Sequence, residues 1–274
     1  DRGGERTAPS SSSWSSWCGF AGRHRATILA LGLAAACGCR DPIADLDEVY
    51  YRGPGRHVVC TVDIDDVAGN DLDSIAGGLD RAAADGTVLQ LYAHAPGVTV
   101  ALSTIDAVLD GARARGLASF TYADLAAGRP AEAGLALSFD DSAVDAWTSI
   151  ADRLDAAGVR ATFFVTRYHL FTDEQRAALH ALAARGHDIE AHSVSHLRAP
   201  EVAEDRGVAG YVDDDVLPGL ALLEADGYHP TVFAYPFGAR TPEIDRALLD
   251  HFALLRSVSW TVGSPLVVDP CPEP

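Results

Sequence analysis

The sequence predicts an α/β fold, a (β/α) barrel of TIM type with seven or eight strands. Three observations carry that expectation. From His57 onward, short apolar strands and amphipathic helices alternate about eight times in roughly two hundred residues, the rhythm of parallel strands wrapped by helices. Helical stretches open on capping residues and stop at glycines, which keeps the connections short. Candidate reactive side chains fall just past the C-terminal ends of successive strands, where such barrels carry their chemistry. An open doubly wound sheet is the second architecture. No glycine-rich phosphate fingerprint follows the first strand, which argues against nucleotide binding.

Taken in order, residues 1–22 are rich in Ser and Gly without periodicity and are expected to be an extension without a core of its own. Arg23, His24 and Arg25 precede an apolar run, Ile28 to Ala36, too short to span a bilayer as a helix but the size of a signal-peptide core. Small residues and Cys37 follow, and LAAAC resembles a bacterial lipoprotein signal in which the Cys becomes the lipidated first residue. Residues 1–39 are therefore expected to be an N-terminal extension and lipoprotein-type signal with Cys37 as the anchor, Cys39 being second choice and a short buried helix the bland alternative. Residues 40–56, acidic and punctuated by Pro and Gly, suit a tether, which leaves 57–274 as a single barrel domain.

Within that domain HVVCTVDI is a predicted strand, Asp73 to Ala84 a helix, and TVLQLY a strand ending at His94. Thr104 to Arg115 is a helix stopped by Gly116, ASFTY a strand, and AAGRPAEAG a turn-rich connection. GLALSFDD is the most strand-like stretch; Ala143 to Ala157 is a helix stopped by Gly158, and ATFFV a strand. Thr172 and Gln175 form a capping box for a helix to Arg185. DIEA, TVFAY and FALLRSV are strands separated by helices around Val216 to Ala225 and Thr241 to His251, the latter with Thr241 and Pro242 as N-cap and first residue.

With 274 residues and 48% hydrophobic composition, the chain can build a full core. Its net charge of −18 argues against nucleic acid or other polyanions as partners. There is no methionine, so the chain is expected to be a fragment or processed form. Cys18, Cys37, Cys39, Cys60 and Cys271 show no zinc-knuckle or redox spacing; in an exported protein Cys60 and Cys271 are a conceivable disulfide.

The chemistry centres on Asp140 and Asp141. Two adjacent carboxylates at the end of a buried strand repel each other and cost desolvation, so a cation or a proton is expected to compensate them. His192 and His196, after DIEA, are spaced so that one helical turn brings the imidazoles together. His94 follows TVLQLY, and Pro236 and Phe237 follow TVFAY. Singly, each has a bland reading: an N-cap aspartate, two solvated histidines, a core histidine. Four strands delivering such groups to one rim favours function. His57, His169, His180, His187, His229 and His251 lack this context and are read as structural.

SFDD, HSVSH and FAYPFG, in that order, resemble the first three motifs of the NodB-like polysaccharide deacetylases, carbohydrate esterase family 4, and ATFFV and GHDIEAHS strengthen the likeness over about Gly134 to Val258. The resemblance implies a metal-dependent enzyme, usually zinc, that removes N- or O-acetyl groups from sugars. It implies Asp141, His192 and His196 as metal ligands and Asp140 as general base. Tyr235, Pro236, Phe237 and Tyr92 would line the oxyanion and substrate site, and His94 would be the general acid. The family's closing Leu-x-His strand is absent after FALLRSV, but DGTVLQLYAH looks like it, placed before the first motif. A circular permutation is therefore expected, with AAGRPAEAG joining the old termini; a tandem protein with a truncated first domain is the rival.

Three departures accompany the resemblance. Ala234 stands where the family often has the arginine partner of the base, with Arg240 as a conceivable substitute. Tyr92 replaces a leucine, and the aspartate that orients the acid histidine is not evident, Asp66 lying at a workable distance. The expected partners are a glycan substrate and, through a lipid anchor, a membrane, at a bacterial cell envelope. An amide or imide hydrolase on a small molecule and a lipid-anchored glycan-binding protein with a degenerate site are the alternatives.

Overall fold

The computed structural model describes residues 42–259 and Cys271. The expected signal, with Cys37 and Cys39, lies outside the described residues. The elements in chain order are β1 (Tyr50–Tyr51), β2 (Val58–Asp63), α1 (Leu72–Asp85), β3 (Val88–Ala93), α2 (Leu102–Ala114), β4 (Ala118–Ser119), α3 (Tyr122–Ala126) and β5 (Gly134–Asp141). They continue with α4 (Val144–Ser149), α5 (Ala151–Ala157), β6 (Ala161–Val165), α6 (Asp173–Ala184), β7 (Asp188–Ala191), α7 (Ala199–Tyr211), a π-helical turn (Val212–Val216), α8 (Leu217–Ala225), β8 (Val232–Ala234), α9 (Pro242–Leu248) and β9 (Leu254–Val258).

Seven of the strands close a parallel barrel, in the order β2, β9, β8, β7, β6, β5, β3 and back to β2. The closed barrel expected from the sequence is therefore the observed architecture. The short β1 and β4 fill the lower edge: β1 pairs antiparallel with the start of β3, and β4 pairs with the start of β5. Alternation along each strand divides the core in two. Val59, Val88, Ala136, Phe164, Val232, Ala234 and Leu254 face one another inside the barrel, and α3 closes its lower end with Tyr122 and Leu125. The opposite faces, including Leu91, Leu137, Phe139, Phe163 and Leu255, pack against the helices.

Several expectations change for local reasons. The strand expected through ASFTY stops at Ser119, because Thr121 and Asp124 form a capping box that starts α3 instead. Its first amides are bound by the barrel floor: Tyr122 N–H donates to Thr162 Oγ1 (2.9 Å) and Ala123 N–H to Asp188 Oδ2 (3.1 Å). The single helix expected from Ala143 to Ala157 is interrupted at Ile150, which is fully buried. The capping box at Thr172 and Gln175 and the Thr241 cap form as expected.

The tether expected over residues 40–56 is not what residues 42–51 form. Ile43, Val49, Tyr50 and Tyr51 are buried, and the apolar side chains of this acidic stretch belong to the core. Ile43 sits so close to α1 that a Cβ on Gly78 would lie 2.6 Å from its Cγ2, so only glycine permits the approach. Tyr50 Oη donates to Ile43 O (3.0 Å), which pins the segment.

Cys60 on β2 and Cys271 form a disulfide with 6.0 Å between the Cα atoms, across 211 residues. The bond ties the chain beyond β9 back to β9's own neighbour. Cys271→Ala is expected to destabilise the domain by about 2–4 kcal/mol. Thermal melts of the oxidised proteins check this, and coincident midpoints would mean that the bridge contributes nothing.

Candidate active site and metal centre

The strands' C-terminal ends surround a cavity of about 250 Å³, lined among others by Tyr92, His94, Asp140, Asp141, His192, His196, Phe237 and Arg256. The rim expectation thus holds for the five reactive residues. The HSVSH segment, however, is not the helical turn expected from the histidine spacing. Ser193 (φ 64°) and His196 (φ 59°) are left-handed, and a folded-back turn brings the rings to 4.9 Å between centroids. Asp141 (φ 86°) and Phe237 (φ 60°) are left-handed too, so four of the five such non-glycine residues among the described residues lie at this site. Strain concentrated in this way marks a place where the surrounding fold over-determines side-chain direction.

His192 is buried, and its Nδ1–H donates to Ala234 O (2.8 Å), which leaves Nε2 as a lone-pair donor. That Nε2 lies 3.6 Å from Asp141 Oδ1, and His196 Nε2 lies 3.0 Å from the same oxygen. Asp141 Oδ1 is shielded from solvent and accepts no hydrogen bond of good geometry. Burial raises the Asp141 carboxyl, but the two imidazoles outweigh it and hold the group well below the usual carboxylate range. Two nitrogens and an orphaned carboxylate oxygen within 4.8 Å of one another fit a divalent cation, and this donor set suits zinc.

Asp140 is buried beside them, and both its oxygens accept from Arg256 Nη2. Arg256, inside the barrel on β9, is fully buried, its Cζ 4.7 Å from the Phe164 ring centroid and 5.2 Å from that of Tyr92. Arg240, the substitute expected from sequence, is committed to Asp245. The signal for Arg256 was a lone cation inside the apolar run FALLRSV.

His94 stands across the cavity mouth on β3's extension. Its Nδ1–H donates to Asp65 Oδ2 (2.5 Å), and Trp147 Nε1–H donates to its carbonyl (2.8 Å). Asp65 is buried and accepts further bonds from His94 N–H (3.2 Å) and Thr99 Oγ1 (2.8 Å). Burial alone would lower the His94 imidazole, but Asp65, with Asp140 and Asp141, pushes it up to about 9. The orienting aspartate is thus Asp65; Asp66, one residue on, accepts from Ala101 N–H (3.2 Å) instead. Position 65 continues the inward phase of Val59, Thr61 and Asp63, and that alternation could have identified it. Asp63, pushed up to about 6 by burial, completes a second cluster with Asp65 and His94. The direct Asp65–His94 hydrogen bond makes that cluster a proton-holding assembly.

The remaining lining residues divide. Tyr92 is buried, its ring edge-on to His94 at 5.5 Å. Phe237 is 50% exposed and lies 4.6 Å from the His196 ring. Tyr235 borders the cavity, but its hydroxyl is committed to Asp245 (2.7 Å), and Pro236 is buried in the turn beneath Phe237. The large apolar side chains most exposed among the described residues are Val67, Val98, Leu170, Leu197 and Phe237, on connections that follow strand C-termini, and Leu72, the first residue of α1; all lie on the cavity's side of the barrel. His187, read as structural, accepts from Ala161 N–H through Nδ1 (3.1 Å) in the core.

Residues 127–251 match the polysaccharide deacetylase family. Over 120 residues the chain is 29% identical to a protein of Arthroderma benhamiae described as "probable peptidoglycan-N-acetylglucosamine deacetylase", covering 42% of this chain and 26% of that protein. The chain thus spans about a quarter of the length of this curated relative. Among solved structures it is similar to IcaB from Ammonifex degensii, with 21% identity, a TM-score of 0.49, and coverage of 64% of this chain and 85% of that one. It is also similar to the Streptococcus pyogenes deacetylase PplD, with 16% identity, a TM-score of 0.45, and coverage of 61% and 84%.

Proposed function

We propose that this chain, whose residues 127–251 match the polysaccharide deacetylase family, is a member of that family and a metal-dependent hydrolase that removes N- or O-linked acetyl groups from a glycan. One observation carries the reading. A buried carboxylate, a convergent carboxylate–imidazole trio and an aspartate-bound imidazole face one cavity from different strands. Asp141, His192 and His196 would hold the cation, zinc by their chemistry. When bound, it supplies positive charge that acidifies water and polarises the acetyl carbonyl. Asp140, kept in place by Arg256, accepts the proton of the attacking water. His94, held by Asp65 with Nε2 free, donates a proton to the departing sugar nitrogen or oxygen. The turn at Phe237 supplies a backbone N–H to the developing oxyanion, and the exposed Phe237 ring offers a face for a pyranose. Tyr92 forms the wall beneath His94.

Circular permutation is supported by the family match, which begins just before β5 and leaves out β2, β3 and His94, although His94 lines the same cavity; the strand order accommodates it. Going round the barrel from β5, the strands run β5, β6, β7, β8, β9, β2, β3, so the chain starts with the last two strands of that circuit. The connection before Gly134 then joins what would be the two ends of an unpermuted barrel. Lipidation at Cys37, attachment to a membrane and action at the cell envelope belong to the same reading, supported by the signal-like sequence and by a disulfide suited to an oxidising compartment.

Acetate release from chito-oligosaccharides, acetylxylan and peptidoglycan is the test. Turnover on at least one should vanish with a chelator and return with added zinc. Undiminished turnover in protein proven free of metal would refute the mechanism, and zinc-loaded protein inert on every glycan would favour a binding module.

A further inference from the structure

The two imidazoles of the proposed metal centre are carried by a turn that their own residues do not favour. Ser193 and His196 are left-handed without being glycine, a conformation that costs free energy unless neighbours impose it. Within the turn, Ser193 Oγ accepts from His196 N–H (2.9 Å). The other constraints come from the π-helical turn between α7 and α8. Asp215 Oδ1 accepts from Ser195 N–H (2.8 Å), and the Asp215 carbonyl accepts from Val194 N–H (2.8 Å). A mid-helix carbonyl is ordinarily occupied by its own helix. Here Leu217 N–H reaches back five residues to Val212 O, so the helix is widened at this turn, and it is within this widened turn that the Asp215 carbonyl accepts from the histidine segment. Asp215 is buried, whereas Asp213 and Asp214 on the same turn are exposed. One turn on, Gly219 lets the helix come close: a Cβ there would lie 2.9 Å from Ser193 C and 3.0 Å from Val194 N.

From this we infer that Asp215 is a positioning residue for the metal centre, holding His192 and His196 in register through the backbone between them. The inference rests on the reading of Asp141, His192 and His196 as metal ligands. A general structural role fits the side chain poorly, since Asp215 Oδ2 is buried without a hydrogen-bond partner, which an ordinary packing position would not retain. The cost is understandable if the carboxylate serves to fix the Ser195 amide of the ligand turn, next to the Val194 amide that the Asp215 carbonyl already holds.

The test is the zinc dissociation constant, measured on folded apo-protein by competition with a chromophoric chelator, alongside the melting temperature of the apo-protein. Asp215→Ala should weaken zinc binding about 10- to 100-fold while leaving the apo-protein's melting temperature nearly unchanged. Asp215→Asn, whose amide oxygen can still accept from Ser195 N–H, should remain within a few-fold of the parent. Gly219→Ala provides a second route that alters neither a ligand nor the Asp215 side chain. Its Cβ forces the helix off the turn, and zinc affinity should fall in the same direction. Parental zinc affinity in either alanine variant overturns the inference. Failure of the parent protein itself to take up zinc overturns the metal-centre reading beneath it.

Discussion

Asp140→Asn is expected to abolish most turnover, lowering kcat by about 10²- to 10⁴-fold, while zinc uptake stays at the parental level. Asp140 contributes no atom to the Asp141, His192 and His196 trio, so its neutralisation removes a proton acceptor and leaves the ligands alone. The second consequence is structural. Asp140 and Arg256 form a buried ion pair, and removing one charge leaves the other buried without its counter-charge. Breaking such a pair costs about 3–5 kcal/mol, whereas replacing both members by apolar groups is often neutral. The amide oxygen of asparagine can still accept from Arg256 Nη2, so the variant should fold with reduced stability, and Asp140→Asn combined with Arg256→Met should recover part of the loss. Arg256→Met alone should be the most destabilised of the three. Kinetics, chelator competition and thermal melts on the set separate the roles, and a well-folded Asp140→Asn protein that keeps its turnover would remove Asp140 from the chemistry.

The contrast between Asp140 and Arg256 shows what the sequence could and could not disclose. Asp140, Asp141, His94 and the two histidines were legible because each sits where an apolar strand ends, and a strand's end is a local property. Their partners were not. Arg256 lies 116 residues from Asp140, on a strand that is not its neighbour, and meets it only because the barrel closes. Asp65 was passed over for Asp66 because the choice depends on which way each residue faces, a one-residue difference that inverts direction on a strand. The barrel itself was legible from alternation and capping. Helix α7 was not: Gly207 is left-handed within it, and the stretch has little amphipathic pattern. Residues 43–51 misled for a related reason, since a short acidic segment with scattered apolar residues looks solvated until a surface exists to bury them.

A second large effect is expected on the proton donor. His94→Ala should lower kcat by about 10²- to 10⁴-fold without loss of zinc, and most severely for substrates whose leaving group is a poor one, such as an amine. The more discriminating variant is Asp65→Asn. With Asp65 in place the His94 imidazole is pushed up to about 9, so the donor is protonated through neutral pH and activity should fall only as pH rises toward that value. A cation at Asp141 offsets that residue's part in the shift, so the limb of the loaded enzyme lies at or somewhat below about 9. Asp65→Asn removes the largest influence that raises the imidazole, while burial, which lowers it, remains. The basic limb should therefore move down toward the ordinary histidine value of 6.5. The same shift carries a stability signature of definite sign. An imidazole raised on folding stabilises the native state fully below about pH 6.5, and that contribution is lost as pH climbs through about 9. Melting temperature against pH should accordingly decline over this interval in the parent and decline less in Asp65→Asn. A variant whose pH–rate profile superimposes on the parent's would show that His94 does not set the basic limb, and the donor would have to be sought elsewhere in the cavity.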